Sequence, residues 1–517
     1  MIAGDRAWVV GPRALGWLLA AAVAVYQLSL PRVLGGADES VVLYGAKRVL
    51  DGQALYRDVF EFITPGSFYF FAGIFALSGP SLLAARVAMA VINAVSCVLL
   101  FALARRVAGA AEAAVAVVLF AATCLPAWPY ASPHWLSTAL CLGTATAVLG
   151  ERQSQAGRAR VLLAGALAAL TFCVQQQQGV VLAGWLAVTL VAGAWPAVAG
   201  GGWRRVRHDL GCALVAWLLV AGVVLGYSAW RASVAELVYA IFTFVFQRYS
   251  SFHADQVSWA GVCALCGKLA PLAWPWLLQG YPVALAAEAV AVGLALRHRR
   301  GNDEVTRGCL VLLAAVMAGS ILYYPDFIHV AFIAPFGLVL AARIARGVCS
   351  MALWQPNRLL RLVPQVALLL LAVAAMNKGW SNWRYAWQMA PEEFESAVGT
   401  LRGEAKTRAL LQAVRQAFAR EPQAPRTLFT YPSDPWLYLA VPADNPTPFS
   451  FLLRDYNTPA QVEQALRAVA ERDTAVLVIN AGFVAGDDPV VRLQRQRHYQ
   501  RVAEVGPYAV YGRQRTH

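Results

Sequence analysis

Along the chain, apolar residues run in stretches of nearly twenty, broken by short polar connections, as far as about Asn377, and then the pattern changes. About twenty apolar helical residues cross the roughly 30 Å of bilayer hydrocarbon. The pattern therefore predicts spans near 14–30, 82–104, 111–126, 134–150, 160–175, 179–197, 210–229, 281–296, 308–323, 328–345 and 360–376. From Lys378 onward, charges of both signs return. Val462, Leu466 and Val469 recur at helical spacing, and Thr474 to Ile479 reads as a buried strand. The expected architecture is an α-helical polytopic membrane body of about eleven transmembrane helices over residues 1–377, followed by a small α/β domain over 378–517.

Composition agrees: 59% of residues are hydrophobic and 14% charged, more apolar surface than one soluble core of 517 residues buries. The net charge of +14 is not a nucleic-acid footprint, because the arginines cluster at span ends. Basic connections carry Arg105-Arg106, Arg152-Arg158-Arg160, Arg204-Arg205-Arg207, Arg297-Arg299-Arg300 and Arg343-Arg346-Arg358. Those near 127–133, 176–178 and 324–327 have neither Lys nor Arg. The positive-inside bias makes the basic set cytoplasmic. The alternation then holds only with the N-terminus inside and the longer connections 31–81 and 230–280 outside, together with the tail. The first apolar run has no small-residue cleavage pattern and reads as a retained span. All nine cysteines lie in apolar stretches, so Cys263 and Cys266, although spaced as CxxC, read as small buried hydrophobes.

Both long outer connections are aromatic, with Phe68-Tyr69-Phe70-Phe71 in one and Ile241 to Phe246 in the other, yet Pro, Gly or charge interrupts them. They read as helices lying in the interface. Asp38-Glu39 follows the first span, and Val42, Ala46, Val49 and Leu50 then share a helical face ahead of Gly52, a natural stop. A carboxylate where lipid meets water is only partly solvated, which raises its basicity and suits a proton acceptor or metal ligand. Equally, Asp38 can simply cap the helix.

The order Asp38-Glu39, Gly45 to Gly52, Tyr56-Arg57-Asp58, Pro65-Gly66, Gly79 and Arg86 resembles the first outer loop of the polytopic GT-C glycosyltransferases, a group that includes protein O-mannosyltransferases and the lipid A aminoarabinose transferase. The resemblance implies an inverting enzyme that takes a sugar from a polyprenyl-phosphate carrier and adds it to an acceptor outside the cytoplasm. It assigns Asp38 as catalytic base, with Glu39 its neighbour in the acidic motif. More loosely, His134 opens the fourth span where relatives place a second polar site residue. It either joins Asp38 around a divalent metal ion or the acceptor, or is a histidine locked in one tautomer at a helix start; one His and one Asp favour the latter. Asp326 and His329, three apart on a short turn, match an acidic-then-histidine pattern that implies they face the catalytic cavity; the alternative is a polar turn capping the next helix.

A carrier phosphate needs cations near the outer leaflet. Arg57, Arg86, Arg231 and Arg248 are the candidates, Arg231 reading better as a snorkelling side chain, and Asp58 accompanies Arg57 in its motif. Relatives often carry a basic residue before Gln and Gly at the outer end of a middle span. Here that place is glutamine, in Gln175–Gln178 before Gly179, and Gln177 is the substrate-binding candidate. The tail, through Tyr431 to Tyr438, Asn445 to Phe449 and Arg454 to Thr458, is similar to the extracytoplasmic domain of several bacterial members, expected to sit over the cavity and assist acceptor recognition or to act as a stabilising cap.

The expected partners are a polyprenyl-phosphate-linked sugar, a lipid, glycan or protein acceptor, and membrane lipid, with no nucleic acid. The expected location is a bacterial inner membrane, with the tail periplasmic. A polytopic transporter predicts repeated halves with ionisable groups at the midplane, whereas here the polar residues gather at the outer boundary. A lipid-linked polysaccharide polymerase or ligase places its long catalytic loop later in the chain.

Overall fold

The computed structural model of the chain describes residues 11–149, 157–193, 202–249, 276–298, 302–322, 326–420, 422, 424–453, 456–484 and 488–513. Every apolar stretch predicted to span is a helix there. In chain order these are α1 Pro12–Leu28, α4 Leu82–Val107, α5 Ala110–Leu119, α6 Pro133–Leu149, α7 Arg158–Val174, α8 Gln176–Gly193, α9 Trp203–Arg231, α11 Trp276–His298, α12 Asn302–Ser320, α13 Phe327–Ala352 and α14 Arg358–Met389. Among the described residues, α4, Ala110–Ala127, α9, α13 and α14 are each long and apolar enough to cross a membrane. This is a multi-pass membrane protein.

Helix α5 widens into a π-helical turn at Phe120–Cys124 and tightens into a 3-10 turn at Leu125–Ala127, where Pro126 removes a backbone donor. Helix α14 continues past its predicted end to Met389. Trp380 and Trp383 stack along it, and the Trp383 and Trp387 indoles donate to the Ser29 carbonyl at the end of α1. A hydropathy window misses this extension because it scores the tryptophan-rich turns as polar.

Backbones approach closely inside the bundle: a Cβ added at Gly165 would run into the Ala213 carbonyl, and one at Gly179 into the Phe172 backbone. Small residues permit such crossings where lipid supplies no hydrophobic drive between helices. Arg106 pairs with Asp303 at 3.9 Å and Arg346 with Glu112 at 3.8 Å. The basic C-terminal ends of α4 and α13 and the acidic first turns of α5 and α12 thus lie together at one end of the bundle.

The first connection holds α2, Ala37–Leu50, and α3, Gly66–Ser78. The predicted apolar face of α2 is corrected in part: Val42 and Ala46 are buried, but Leu50 is 39% exposed. The buried set runs through Val41, Leu43 and Tyr44 as well, because protein covers α2 on several sides. Gly52 ends the turn at φ +90°, which only glycine adopts without strain. In the second connection, α10, Val234–Val238, passes into π-helical turns at Tyr239–Thr243 and Val245–Tyr249. Cys263, Cys266, Tyr324, Pro325, Arg454 and Asp455 lie outside the described residues.

The tail begins with a hairpin, β1 Glu392–Ser396 and β2 Gly399–Gly403. Then come α15 Ala405–Arg420, β3 Leu428–Tyr431, α16 Trp436–Ala440, α17 Pro459–Glu471, β4 Val476–Asn480, α18 Pro489–Gln496, β5 Tyr499–Val505 and β6 Tyr508–Arg513. The sheet order is β3-β4-β6-β5, with β3 and β4 parallel and the other pairs antiparallel. Thr458 and Gln461 form a capping box at α17.

The tail is bolted to the first loop. Tyr44 stacks on Tyr438 at 4.8 Å and accepts from the Asn445 N–H, Arg48 donates to the Thr447 carbonyl, and Phe60 pairs through its backbone with Pro448.

Candidate functional site

Gly36 is the N-cap residue of α2, and Asp38 falls in the first turn without capping it. The two acidic neighbours part company there, since successive helical side chains point about 100° apart. Glu39 turns inward with 0% exposure. It accepts from the Gly35 N–H at 2.6 Å, the Ala131 N–H at 2.7 Å and the Arg86 guanidinium at 2.9 Å. Arg86 also donates to the carbonyls of Val33 and Pro129 and lies over the Tyr130 ring. Both residues are therefore spent on bracing the loop, which corrects their expected catalytic and phosphate-binding roles.

Asp38 turns the other way and is exposed, although protein surrounds it. That enclosure raises its pKa; the nearby His329 pulls it back and Asp326 pushes it further up. Asp326 caps α13: its Oδ1 accepts the His329 N–H at 2.8 Å and lies 2.7 Å from His329 Nδ1. Asp326 thus caps the helix, as one of the two sequence readings had it, and the pair lies near Asp38. The His329 ring meets the edge of His134 at 4.9 Å, and His134 stacks on Phe332 at 4.4 Å. His134 Nδ1 accepts from the Gln175 amide at 2.7 Å, which leaves Nε2 as the protonated nitrogen.

The glutamine run divides its work. Ser137 Oγ lies 2.8 Å from Gln175 Oε1 and 2.6 Å from Gln178 Oε1, and Gln176 donates to the Phe62 carbonyl. Gln177 is partly exposed and makes none of these bonds. Of the sequence-predicted residues, Asp38, His134, Asp326 and His329 come together. Arg57 and Asp58 do not: they pair with each other at 2.9 Å, and Arg57 donates to the Arg231 carbonyl while Arg231 reaches back to Gly52. These side chains clip α9 to the first loop. Arg248 lies in the second π-helical turn, next to Tyr249, whose ring stacks on Phe62 at 4.7 Å.

Glu61, between Asp58 and Pro65 of the first loop, is not among the residues the sequence singled out. It is buried, its Oε1 has no hydrogen-bond partner among the described residues, and burial pushes its pKa up to about 8. The nearby Asp38 pushes it up as well. Only its burial, a tertiary fact, marks it. Glu61 is protonated in the fold up to about pH 8 but only up to about 4.5 when unfolded, so its contribution to stability is fully present below pH 4.5 and lost as pH rises through 8. At 1.36 kcal/mol per unit, the loss reaches roughly 4–5 kcal/mol. Glu61→Gln should therefore unfold at the same temperature as wild type at pH 4.5 and at a clearly higher one at pH 8.5; parallel melting curves at both pH values would refute the assignment.

Beside this cluster lies a cavity of about 1140 Å³ between the outer ends of α1, α13 and α14 and the tail. Gly35, Gly36, Arg86 and Asp326 line it. Asp38 is not part of that wall, but Asp326 belongs both to it and to the Asp38 cluster. Among the described residues, no three His, Cys, Asp or Glu side chains are arranged to hold a metal ion. Asp38 and His134 alone are too few, and His134 Nδ1 is already occupied, so the residues do not fit the divalent ion and no step is routed through one.

Residues 63–199 match the family model described as dolichyl-phosphate-mannose-protein mannosyltransferase. Among curated proteins, none matches the chain. The crystal structure of ArnT from Cupriavidus metallidurans bound to undecaprenyl phosphate superposes with a TM-score of 0.60 at 16% identity, covering 96% of this chain and 98% of that one. Its apo state gives 0.58 at 14% identity, over 96% and 97% of the two chains. This is the GT-C fold. The oligosaccharyltransferase of Archaeoglobus fulgidus in complex with Zn and sulfate superposes at 0.53 and 12% identity, over 93% of this chain and 71% of that one. Within the GT-C fold of this protein, the family match spans α3 to α8 and so includes His134 and the glutamine run, while Asp38 lies upstream of it.

Proposed function

We propose that this protein is a glycosyltransferase that moves a sugar from a polyprenyl-phosphate carrier to an acceptor outside the cytoplasm, with Asp38 as general base. The observation that carries the reading is the setting of Asp38: exposed, enclosed by protein, raised in basicity, and flanked by the Asp326–His329 pair at the end of the bundle opposite the basic helix ends. A hydroxyl oxygen of the acceptor attacks the anomeric carbon, the bond from that carbon to the carrier phosphate breaks, and polyprenyl phosphate leaves with the electron pair. Asp38 takes the hydroxyl proton, and attack opposite the leaving group inverts the anomeric centre.

His329, held by Asp326, is the group poised to orient the acceptor, and His134 supports its ring. Gln177 offers an amide to a sugar hydroxyl. Arg248, beside the aromatic cluster of the first loop and tail, is the proposed cation for the departing phosphate, where fixed positive charge lowers the barrier. The reading makes this a bacterial inner-membrane protein with its N-terminus cytoplasmic, its body over residues 1–377 and its tail periplasmic. The undecaprenyl phosphate of the ArnT structure supports a lipid-linked donor.

The test is a reconstituted assay. Full-length protein in nanodiscs receives a panel of radiolabelled polyprenyl-phosphate sugars together with an envelope lipid extract. Release of polyprenyl phosphate with transfer of label supports the reading. Absence of release across the panel, from protein that melts cooperatively, would overturn it.

A further inference from the structure

Helix α2, which carries Asp38, is gripped a second time, by the tail. Tyr44 and Arg48, one turn apart, are both buried. Tyr44 stacks on Tyr438 of α16 with ring centroids 4.8 Å apart, and its hydroxyl accepts the Asn445 N–H at 3.0 Å. Arg48 sits over the Tyr44 ring and donates to the Thr447 carbonyl at 3.0 Å, the Asp58 carbonyl at 2.8 Å and the Gln53 side-chain oxygen at 2.6 Å. All three acceptors are neutral. A charge buried against neutral oxygens is a costly way to hold a helix. What the planar guanidinium fork adds is orientation, because three bonds to three separate segments fix both place and angle.

The tail presents its groups from a fixed frame. The Tyr438 hydroxyl accepts the Thr430 N–H of β3 at 2.9 Å, which ties it to the sheet. Asn445 closes its own turn, accepting the Thr447 N–H at 2.8 Å and donating to the Phe449 carbonyl at 2.7 Å. Taking Asp38 as zero, Glu39 lies about 100°, Tyr44 about 240° and Arg48 about 280° round α2, with Arg48 about 13 Å along the axis from Glu39. The grip on Glu39 and the grip of the tail therefore fall on nearly opposite sides of the helix, one near each end. A helix held at one end can roll or swing, and the second grip removes both motions. Asp38 is left between the two, on the side that stays exposed.

We propose that Tyr44 and Arg48 are positioning residues for the transfer, with the 445–449 turn of the tail as their anchor, so that the tail holds α2 in the rotation that aims Asp38. The role in transfer rests on the glycosyltransferase reading; the grip on α2 does not. The tail is then part of the apparatus that places the base, in addition to covering the outer end of the bundle.

The experiment uses full-length protein in nanodiscs carrying Arg48→Met, Tyr44→Phe or, as a control on the same helix, Lys47→Ala, which removes only the partly exposed ion pair with Asp51. Hydrogen exchange read by mass spectrometry follows α2 without any sugar donor. Arg48→Met should raise exchange in α2 by about tenfold, the scale of a buried hydrogen bond lost, and Tyr44→Phe should raise it less. Exchange in α4 and α13 should stay as in wild type, and Lys47→Ala should match wild type throughout. In the transfer assay, Arg48→Met should lower kcat on the order of 10–10²-fold with little change in KM, because a misplacement of about 1 Å costs that much. Its acidic limb should also move to lower pH, since enclosure, the largest influence on the Asp38 pKa, acts with Asp326 to outweigh the pull of His329 and is lost when α2 swings. A smaller folded fraction would scale kcat and leave that limb in place. Wild-type exchange in α2 of both variants overturns the proposal, and so does a loss of kcat with an unmoved limb. Tyr44→Phe decides alone if Arg48→Met does not melt cooperatively. Should the wild type transfer no sugar, the glycosyltransferase reading falls, and the exchange data still decide whether the tail holds α2.

Discussion

Asp38→Asn should leave a protein that folds and melts as wild type but releases polyprenyl phosphate on the order of 10³-fold more slowly. The substitution is isosteric, and the side chain carries no helix cap. What vanishes is the proton acceptor, and general bases contribute about 10²–10⁴-fold. The loss should fall on kcat rather than KM, because the base acts only as the acceptor oxygen attacks. The acidic limb of the pH–rate profile should disappear with it, since wild-type activity falls when Asp38 is protonated. The position of that limb should lie above the ordinary aspartate range, because enclosure raises the Asp38 pKa. Undiminished turnover in Asp38→Asn would retire Asp38 as base.

The second large effect is structural. Arg86→Ala should destabilise the protein by about 3–5 kcal/mol, because it strands the buried Glu39 carboxylate without its charge partner. The same change frees the carbonyls of Val33 and Pro129 and loosens the segment before α2, so activity falls as well, through a displaced Asp38. Replacing both partners at once, as Glu39→Leu with Arg86→Met, should cost much less than Arg86→Ala, because no charge is left buried. Thermal unfolding of the three variants in nanodiscs distinguishes the cases. An Arg86→Ala protein as stable as wild type would show that Glu39 finds another donor.

The two predictions concern adjacent residues that sequence alone treated as one acidic motif. The motif was legible because an acidic pair just after an apolar span stands out against 14% charge. Its division of labour was not, because which neighbour faces the protein depends on the phase of α2, and that phase is set by Gly35, Ala131 and Arg86 closing on Glu39. Arg86 was read as a free cation for the same reason: its three acceptors come from sequence positions far apart. Asp326 and His329 were found because two ionisable residues on a short turn between apolar runs are costly. Glu61 passed unremarked, since the burial of a carboxyl leaves no mark in a string of letters.

By itself, the sequence determined the solvent of this protein and the placement of its helices. Runs of apolar residues near twenty long have no soluble alternative, and each of those runs is helical in the fold, because backbone groups in hydrocarbon must bond within their own segment. It also determined which connections are basic and where the acidic motif lies. Only the tertiary structure decided that Asp38, His134, Asp326 and His329 form one cluster, that Arg57 and Arg231 are clips, and that the tail is bolted to the first loop through Tyr44, Arg48 and Phe60. The physical reason is that hydropathy is a sum over neighbours in the chain, whereas an ion pair or a capped carboxylate is fixed by side chains the chain brings together from hundreds of residues apart.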